Sequence, residues 1–132
     1  MRMWMGGTAR LISHVMMAAG ISLIATVTNG QLPATPQATQ EINGLLEFIE
    51  QSECHFVRNG SEYSGSRARA HLEKKLSYLE GKNMVNSAED FIDLAATKSS
   101  LSGRAYEVRC SEGVEPASTW LKRELQRQRQ LH

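Results

Sequence analysis

The sequence predicts an α+β fold: a small three-stranded antiparallel sheet with about four helices packed on one face, in a single disulfide-stapled domain. Three observations lead there. Apolar residues recur at helical spacing in four separate segments. Two short segments alternate at period two, and the first is turned by Asn59-Gly60. The 132-residue chain holds two cysteines, Cys54 and Cys110. The elements run helix, hairpin, helix, helix, strand, helix, with no internal repeat.

The first thirty residues stand apart from that domain. MRMWMGGTAR carries Arg2 and Arg10 and no acid, Leu11 to Val27 is mostly apolar, and a stretch of small polar residues with two prolines follows. A positive start, an apolar middle and a small-residue cleavage region are the order of a secretory signal. Thr28 and Gly30 suit the positions before the cut, so cleavage after Gly30 is expected, with Ala34 and Ala38 as alternatives. The competing interpretation is an uncleaved anchor, the one route by which a membrane would be involved. A spanning helix needs about 20 apolar residues, whereas this run has 17 and is broken by Ser13, His14 and Ser22. Residues 31–40 read as a flexible leader and 41–131 as the single domain, in a periplasmic or secreted protein.

Removing residues 1–30 takes away two arginines and no acid. That leaves thirteen basic against fourteen acidic residues, a formal charge of −1. A nucleic-acid partner is not expected from that balance. In an oxidising compartment an even cysteine count favours a Cys54–Cys110 disulfide. The two lie 56 residues apart with no CxxC and no clustered histidines, which argues against a zinc site or a redox-active pair. No metal or cofactor is expected.

The elements follow in order. In EINGLLEFIEQS, Ile42, Leu45, Leu46 and Ile49 share one helical face, and Gly44 weakens the helix by about 1 kcal/mol relative to Ala. In CHFVRNGSEYS, Asn59-Gly60 predicts a two-residue hairpin that sets Arg58 opposite Ser61 and Phe56 opposite Tyr63. Period two then groups Cys54, Phe56 and Arg58 on one face. Ser64 or Ser66 caps a second helix whose face is Ala68, Leu72, Leu76 and Leu79, with Gly81 as its stop. Ser87 caps a short third helix with Phe91, Ile92 and Ala95 turned inward. Asp90, three residues on, resembles a capping box with a shorter acid. AYEVRC alternates so that Tyr106, Val108 and Cys110 share a face, which puts both cysteines on the same side of the sheet. SEGVEPAS reads as a turn with Pro116 opening the last helix, where Trp120, Leu121, Leu125 and Gln128 point inward.

Catalysis needs a nucleophile with a base, an acid–base pair or a metal. His71 is the one histidine placed to act as a base for a loop serine. The alternative is a helix histidine packed at the core edge, bonded to Tyr63 or a backbone carbonyl, and the absence of a triad motif favours it. GSEYSGS lacks the phosphate-loop spacing. The loop before the last strand is the candidate binding surface: Ser99, Ser100, Ser102, Gly103 and Arg104, with Arg104 suited to a partner carboxylate.

HFVRNGSEY, HLEKKL, SAEDFIDLAA, KSSLSGRAYEVRC and WLKREL, in this order and spacing, resemble a family of small exported bacterial proteins known only as a domain of unknown function. The resemblance runs from Ile42 to Leu125. It implies an envelope location and one compact domain, and it brings no activity or catalytic residue with it. Ser100 to Tyr106 alone is similar to the SxSGxxY signature of the periplasmic C-type lysozyme inhibitors, whose serine-bearing loop enters the lysozyme cleft. Those proteins are small β-barrels, unlike this helix-rich chain. The functional expectation is a non-enzymatic binding domain using the Ser99–Arg104 loop toward a protein partner in the cell envelope. The alternatives are a small envelope hydrolase using a loop serine with His71, or a structural subunit of an envelope assembly.

Overall fold

A computed structural model describes residues 18–21 and 33–132. The expected export signal therefore lies outside the described residues, apart from residues 18–21. The elements are α1 (Pro36–Gln51), β1 (His55–Arg58), β2 (Ser61–Tyr63), α2 (Gly65–Gly81), α3 (Ala88–Ala95), β3 (Glu107–Cys110), β4 (Gly113–Pro116) and α4 (Ala117–Gln130). The α+β class and the four helices agree with the sequence reading. The sheet has four strands, not three.

The first helix starts earlier than its apolar rhythm suggested, so the second half of the expected leader is structured. Thr35 caps α1 by accepting the Ala38 N–H at 3.1 Å, and Pro36 opens the first turn. Ala38 is buried against the core. A Thr-Pro pair before a buried alanine is a helix start that composition alone reads as linker. Ile42, Leu45, Leu46 and Ile49 then form the buried face as expected.

Asn59 and Gly60 both take positive φ, 50° and 81°, as a type I′ turn requires. The hairpin has the expected register, Arg58 opposite Ser61 and Phe56 opposite Tyr63. β1 also pairs with β3, Phe56 facing Val108, and the sheet order is β2-β1-β3-β4, antiparallel throughout. The unforeseen strand, β4, folds back on β3 with Cys110 opposite Gly113 and Glu107 opposite Pro116. Its turn is Ser111-Glu112, which lacks the Asn-Gly signal, and Pro116, expected in the first turn of the last helix, ends β4 and precedes α4. An edge strand tolerates proline because the missing N–H would have faced away from the ladder.

The helices cover one face of the sheet. Ala68, Leu72, Leu76 and Leu79 of α2, Phe91 and Ile92 of α3, and Trp120, Leu121 and Leu125 of α4 join α1 in one core with Tyr106 and Val108. Trp120 packs against Phe48 with tilted planes and edge-on against Phe56, with ring centroids 4.5 and 5.5 Å away. Ser64 is the cap of α2 and Ser87 that of α3. Asp90 reaches past the cap to the Asn86 N–H at 2.9 Å, one residue further back than in a capping box. Gly81 is the last residue of α2, and the left-handed residue that ends the helix is not this glycine. Asn83 takes the left-handed φ of 54°, with Met84 N–H bonded to Leu79 O and Asn83 N–H to Glu80 O, a Schellman end with asparagine in place of glycine.

Cys54 and Cys110 are disulfide-bonded with Cα atoms 4.6 Å apart. Their positions continue the β1–β3 register by one step beyond His55 opposite Arg109, so the bond extends the ladder. Among the described residues no helix is long and apolar enough to cross a membrane.

Two predictions follow from this packing. Replacing both cysteines by alanine removes a cross-link over 56 residues; the chain-entropy model puts the loss at about 4 kcal/mol, read as a lower urea midpoint. The second compares two glycines. A Cβ on Gly65 would sit 2.5 Å from the Ile49 carbonyl oxygen and 2.9 Å from that of Glu50, where α2 begins against the end of α1. Gly65→Ala therefore destabilises by about 1–3 kcal/mol. Gly81 has open space around it, so Gly81→Ala in the same urea assay is neutral or stabilises by up to about 1 kcal/mol.

Candidate functional site

The Ser99–Arg104 loop is held from within. A bridge between Lys98 and Ala105 closes its base. Ser99 N–H donates to Arg104 O and Gly103 N–H to Ser99 O, both at 2.9 Å, with Gly103 at φ 72°. Ser99 is buried, 3% exposed. Its Oγ accepts from the Leu101 and Ser102 N–H groups and from Asn59 Nδ2 at 3.2 Å. Ser102 Oγ donates to Asn59 Oδ1 and accepts the Arg104 N–H at 3.2 Å. The hairpin residue Asn59 is thus gripped at both ends of its amide.

This changes what the predicted loop residues do. Ser99, Ser102 and Gly103 hold the loop in shape and tie it to the hairpin tip. Of the five, only Ser99 is buried; Ser100, Ser102, Gly103 and Arg104 are exposed. Leu101, which the sequence reading passed over, stands at the tip 89% exposed. Its signal was available: a lone leucine among serines and glycine, out of phase with any apolar face.

A second feature lies beside the loop. The inward parity of β1 continues past Phe56 to Arg58, and the α2 register brings His71 to meet it. Arg58 Nη1 lies 3.0 Å from His71 Nδ1, and His71 Nε2 lies 3.2 Å from Tyr106 Oη. The same Arg58 Nη1 lies 3.3 Å from His71 Nε2, so the guanidinium sits against both ring nitrogens, and because arginine only donates, the contact favours the neutral imidazole. Lys75 Nζ donates to Tyr106 Oη at 3.1 Å and to Lys98 O at 3.0 Å, which links the cleft to the base of the loop. Burial lowers the His71 pKa from its ordinary value, and the charges of Arg58, Lys75 and Lys74 lower it further. Burial and then Arg58 lower that of Lys75 in the same way. Burial raises the Tyr106 pKa, opposed by Arg58.

The histidine is therefore packed at the core edge as expected, with Arg58 and Tyr106 as its partners, not Tyr63 or a carbonyl. Its ring nitrogens are engaged there, while the Ser99 and Ser102 hydroxyls are engaged with Asn59 and the loop backbone. The geometry does not assemble a serine–histidine pair. Around His71 opens a cavity of about 300 Å³, lined by the apolar Ile49, Phe56, Leu72 and Leu121 and by Arg58, Tyr63, Arg67 and Lys74, of which Arg67 and Lys74 are exposed. Among the described residues no cluster of three or more His, Cys, Asp or Glu is placed to hold a metal ion.

Comparison with known proteins matches residues 36–129 to a family described as "Family of unknown function (DUF5329)". The match covers all four helices and four strands, and the chain belongs to that family. A relative, "Uncharacterized protein YfeK" of Salmonella typhimurium, is 38% identical over 66 residues, 49% of this chain and 53% of the relative. The chain thus matches about half the length of that relative. No solved structure matches.

The His71 environment makes stability depend on pH with a definite sign. The folded state disfavours the imidazolium, so the unfolded chain binds the extra proton. His71 contributes fully above the unfolded value of 6.5, and that contribution falls as pH drops below it toward the lower folded pKa. Urea unfolding at pH 7.5 and 5.5 checks this. The wild type loses more stability on acidification than His71→Gln does, and an equal loss in both contradicts the assignment.

Proposed function

We propose that this member of the DUF5329 family is an exported, non-enzymatic binding domain that engages a protein partner of the cell envelope through the Ser99–Arg104 loop. One observation carries the proposal. The loop is ordered by its own hydrogen bonds and by Asn59, yet it presents Leu101 to solvent, 89% exposed. A rigid loop loses little conformational entropy on docking. An apolar tip beside an exposed arginine suits a partner pocket with a carboxylate at its rim. The disulfide and the signal-like first thirty residues support an oxidising compartment, the periplasm or the medium. A hydrolase using His71 is not favoured, because the hydrogen bonds of His71 and of the loop serines lead to different partners.

The test uses the full chain expressed in a bacterial host. N-terminal sequencing of the envelope fraction reads Gln31 if cleavage follows Gly30. A photo-crosslinking amino acid at position 101 then yields a discrete protein adduct, and Arg104→Ala reduces its yield severalfold while the melting temperature stays within about 2 °C of wild type, as for a surface substitution. No adduct from position 101, or one indifferent to Arg104→Ala, overturns the loop as the binding surface. The lysozyme version is checked separately: inhibition of a C-type lysozyme is lost in Leu101→Asp, and no inhibition at high micromolar protein removes that version.

A further inference from the structure

We infer that the cleft between the β1–β2 hairpin and α2 is a second binding site, built to take a small organic acid: a carboxylate head on an apolar body. The site is separate from the Leu101 tip and does not rest on the loop proposal.

The charge inventory comes first. Arg58, Arg67 and Lys74 line the cleft with His71, Tyr63 and Tyr106, Lys75 is bonded to Tyr106 Oη beside it, and among the described residues no Asp or Glu lines it. The eight ion pairs of the described residues use Arg69, Arg109, Lys122, Arg123, Arg127 and Arg129, none of these four. The domain has no basic excess overall, so this gathering of unneutralised cations is local.

Aromatic rings stand beside three of the four in place of carboxylates. Arg58 and Arg67 lie over Tyr63, 5.7 and 5.2 Å from its centroid, and Lys75 lies 4.9 Å from that of Tyr106. A tyrosine face positions a cation without cancelling its charge. Burial first, and then the neighbouring like charges, lower the pKa of His71 and of Lys75. An anion entering the cleft reverses that repulsion. Donors are concentrated there: Lys75 Nζ donates to Tyr106 Oη, and Arg58 Nη1 lies within 3.3 Å of both His71 ring nitrogens, so a carboxylate beside them meets charged N–H groups.

The walls set the rest of the ligand. Ile49, Phe56, Leu72 and Leu121 are apolar and leave no polar partner for a second charged or hydroxylated end. The volume of about 300 Å³ is at the small end for ligand pockets, and roughly twice the apolar cavity that holds one benzene. A single ring or short chain with one carboxylate fits both the volume and the polarity.

Phenylacetate is a suitable probe, with phenylacetamide as its neutral counterpart and inorganic phosphate as an anion without a body. Binding to the full-length protein is followed by NMR of the His71 ring and by titration calorimetry. Phenylacetate is expected to bind at least tenfold more tightly than either control and to raise the His71 pKa, because the carboxylate would face Arg58, Lys74 and Tyr106 together with the imidazole. Arg58→Ala and, independently, the surface change Lys74→Gln weaken phenylacetate without weakening phenylacetamide. Leu101→Asp leaves phenylacetate binding unchanged, which separates this site from the loop. Equal affinity for acid and amide, tighter binding of phosphate than of phenylacetate, an unmoved His71 pKa at saturation, or no binding at 10 mM each overturns the inference.

Discussion

Pairing of β1 with β3, closed by the Cys54–Cys110 bond, is the constraint on which the rest of the fold depends. β1 is an interior strand and carries β2 on its other edge, so its position sets the whole hairpin. α1 runs into β1 through a short connection, and β3 runs through β4 directly into α4. Joining the two strands therefore brings the first and last helices of the domain to one side of one sheet. A chain of this size has a modest core, and a cross-link at the head of the central ladder removes the unfolded states in which these distant segments drift apart.

Charged side chains in this molecule meet two different fates. On the helical side they are neutralised and stitch elements together. Arg129 reaches Glu41 on α1 and Glu89 on α3, each at 2.6 Å, and holds the Glu89 carboxyl below its usual range. Glu124 is buried, 6% exposed, and its carboxyl is also held low, by Arg127 first and by the Gln128 amide. Gln128 in turn donates to Gly44 O, so the glycine in the middle of α1 makes room for a side chain from α4. Around His71 the same kinds of cation are left without carboxylates. Stability alone would favour the first arrangement, so the second marks the cleft as the place where the surface is committed to something other than folding.

The local signals in the chain were mostly readable. Asn59-Gly60 specified the turn and its register because few residue pairs accept two positive φ values in succession. Ser87 specified one helix start, and Ser64 or Ser66 another with the choice left open, because a hydroxyl before an amphipathic run satisfies a free backbone N–H. The apolar faces of all four helices were legible because each is buried against a single core. What escaped lay where a residue does something its type does not advertise. Thr35-Pro36 caps a helix inside a linker-like composition, Pro116 ends an edge strand, and Asn83 replaces glycine at a helix end. The candidate loop was legible as an irregular segment, but the sequence does not say which hydroxyls face inward, because the Asn59 that binds them is forty residues away.

By itself, then, the sequence determined the α+β class, the hairpin register, the inward residue set and the pairing of its two cysteines, since each depends on local periodicity, backbone preference or simple counting. The tertiary structure decided the fourth strand, the three-helix grip of Arg129, the internal role of Ser99 and Ser102, and the meeting of Arg58, His71, Lys75 and Tyr106. Those features join residues from different elements. Their energy lies in distances that exist only after the β1–β3 ladder has closed, and no spacing along the chain encodes them.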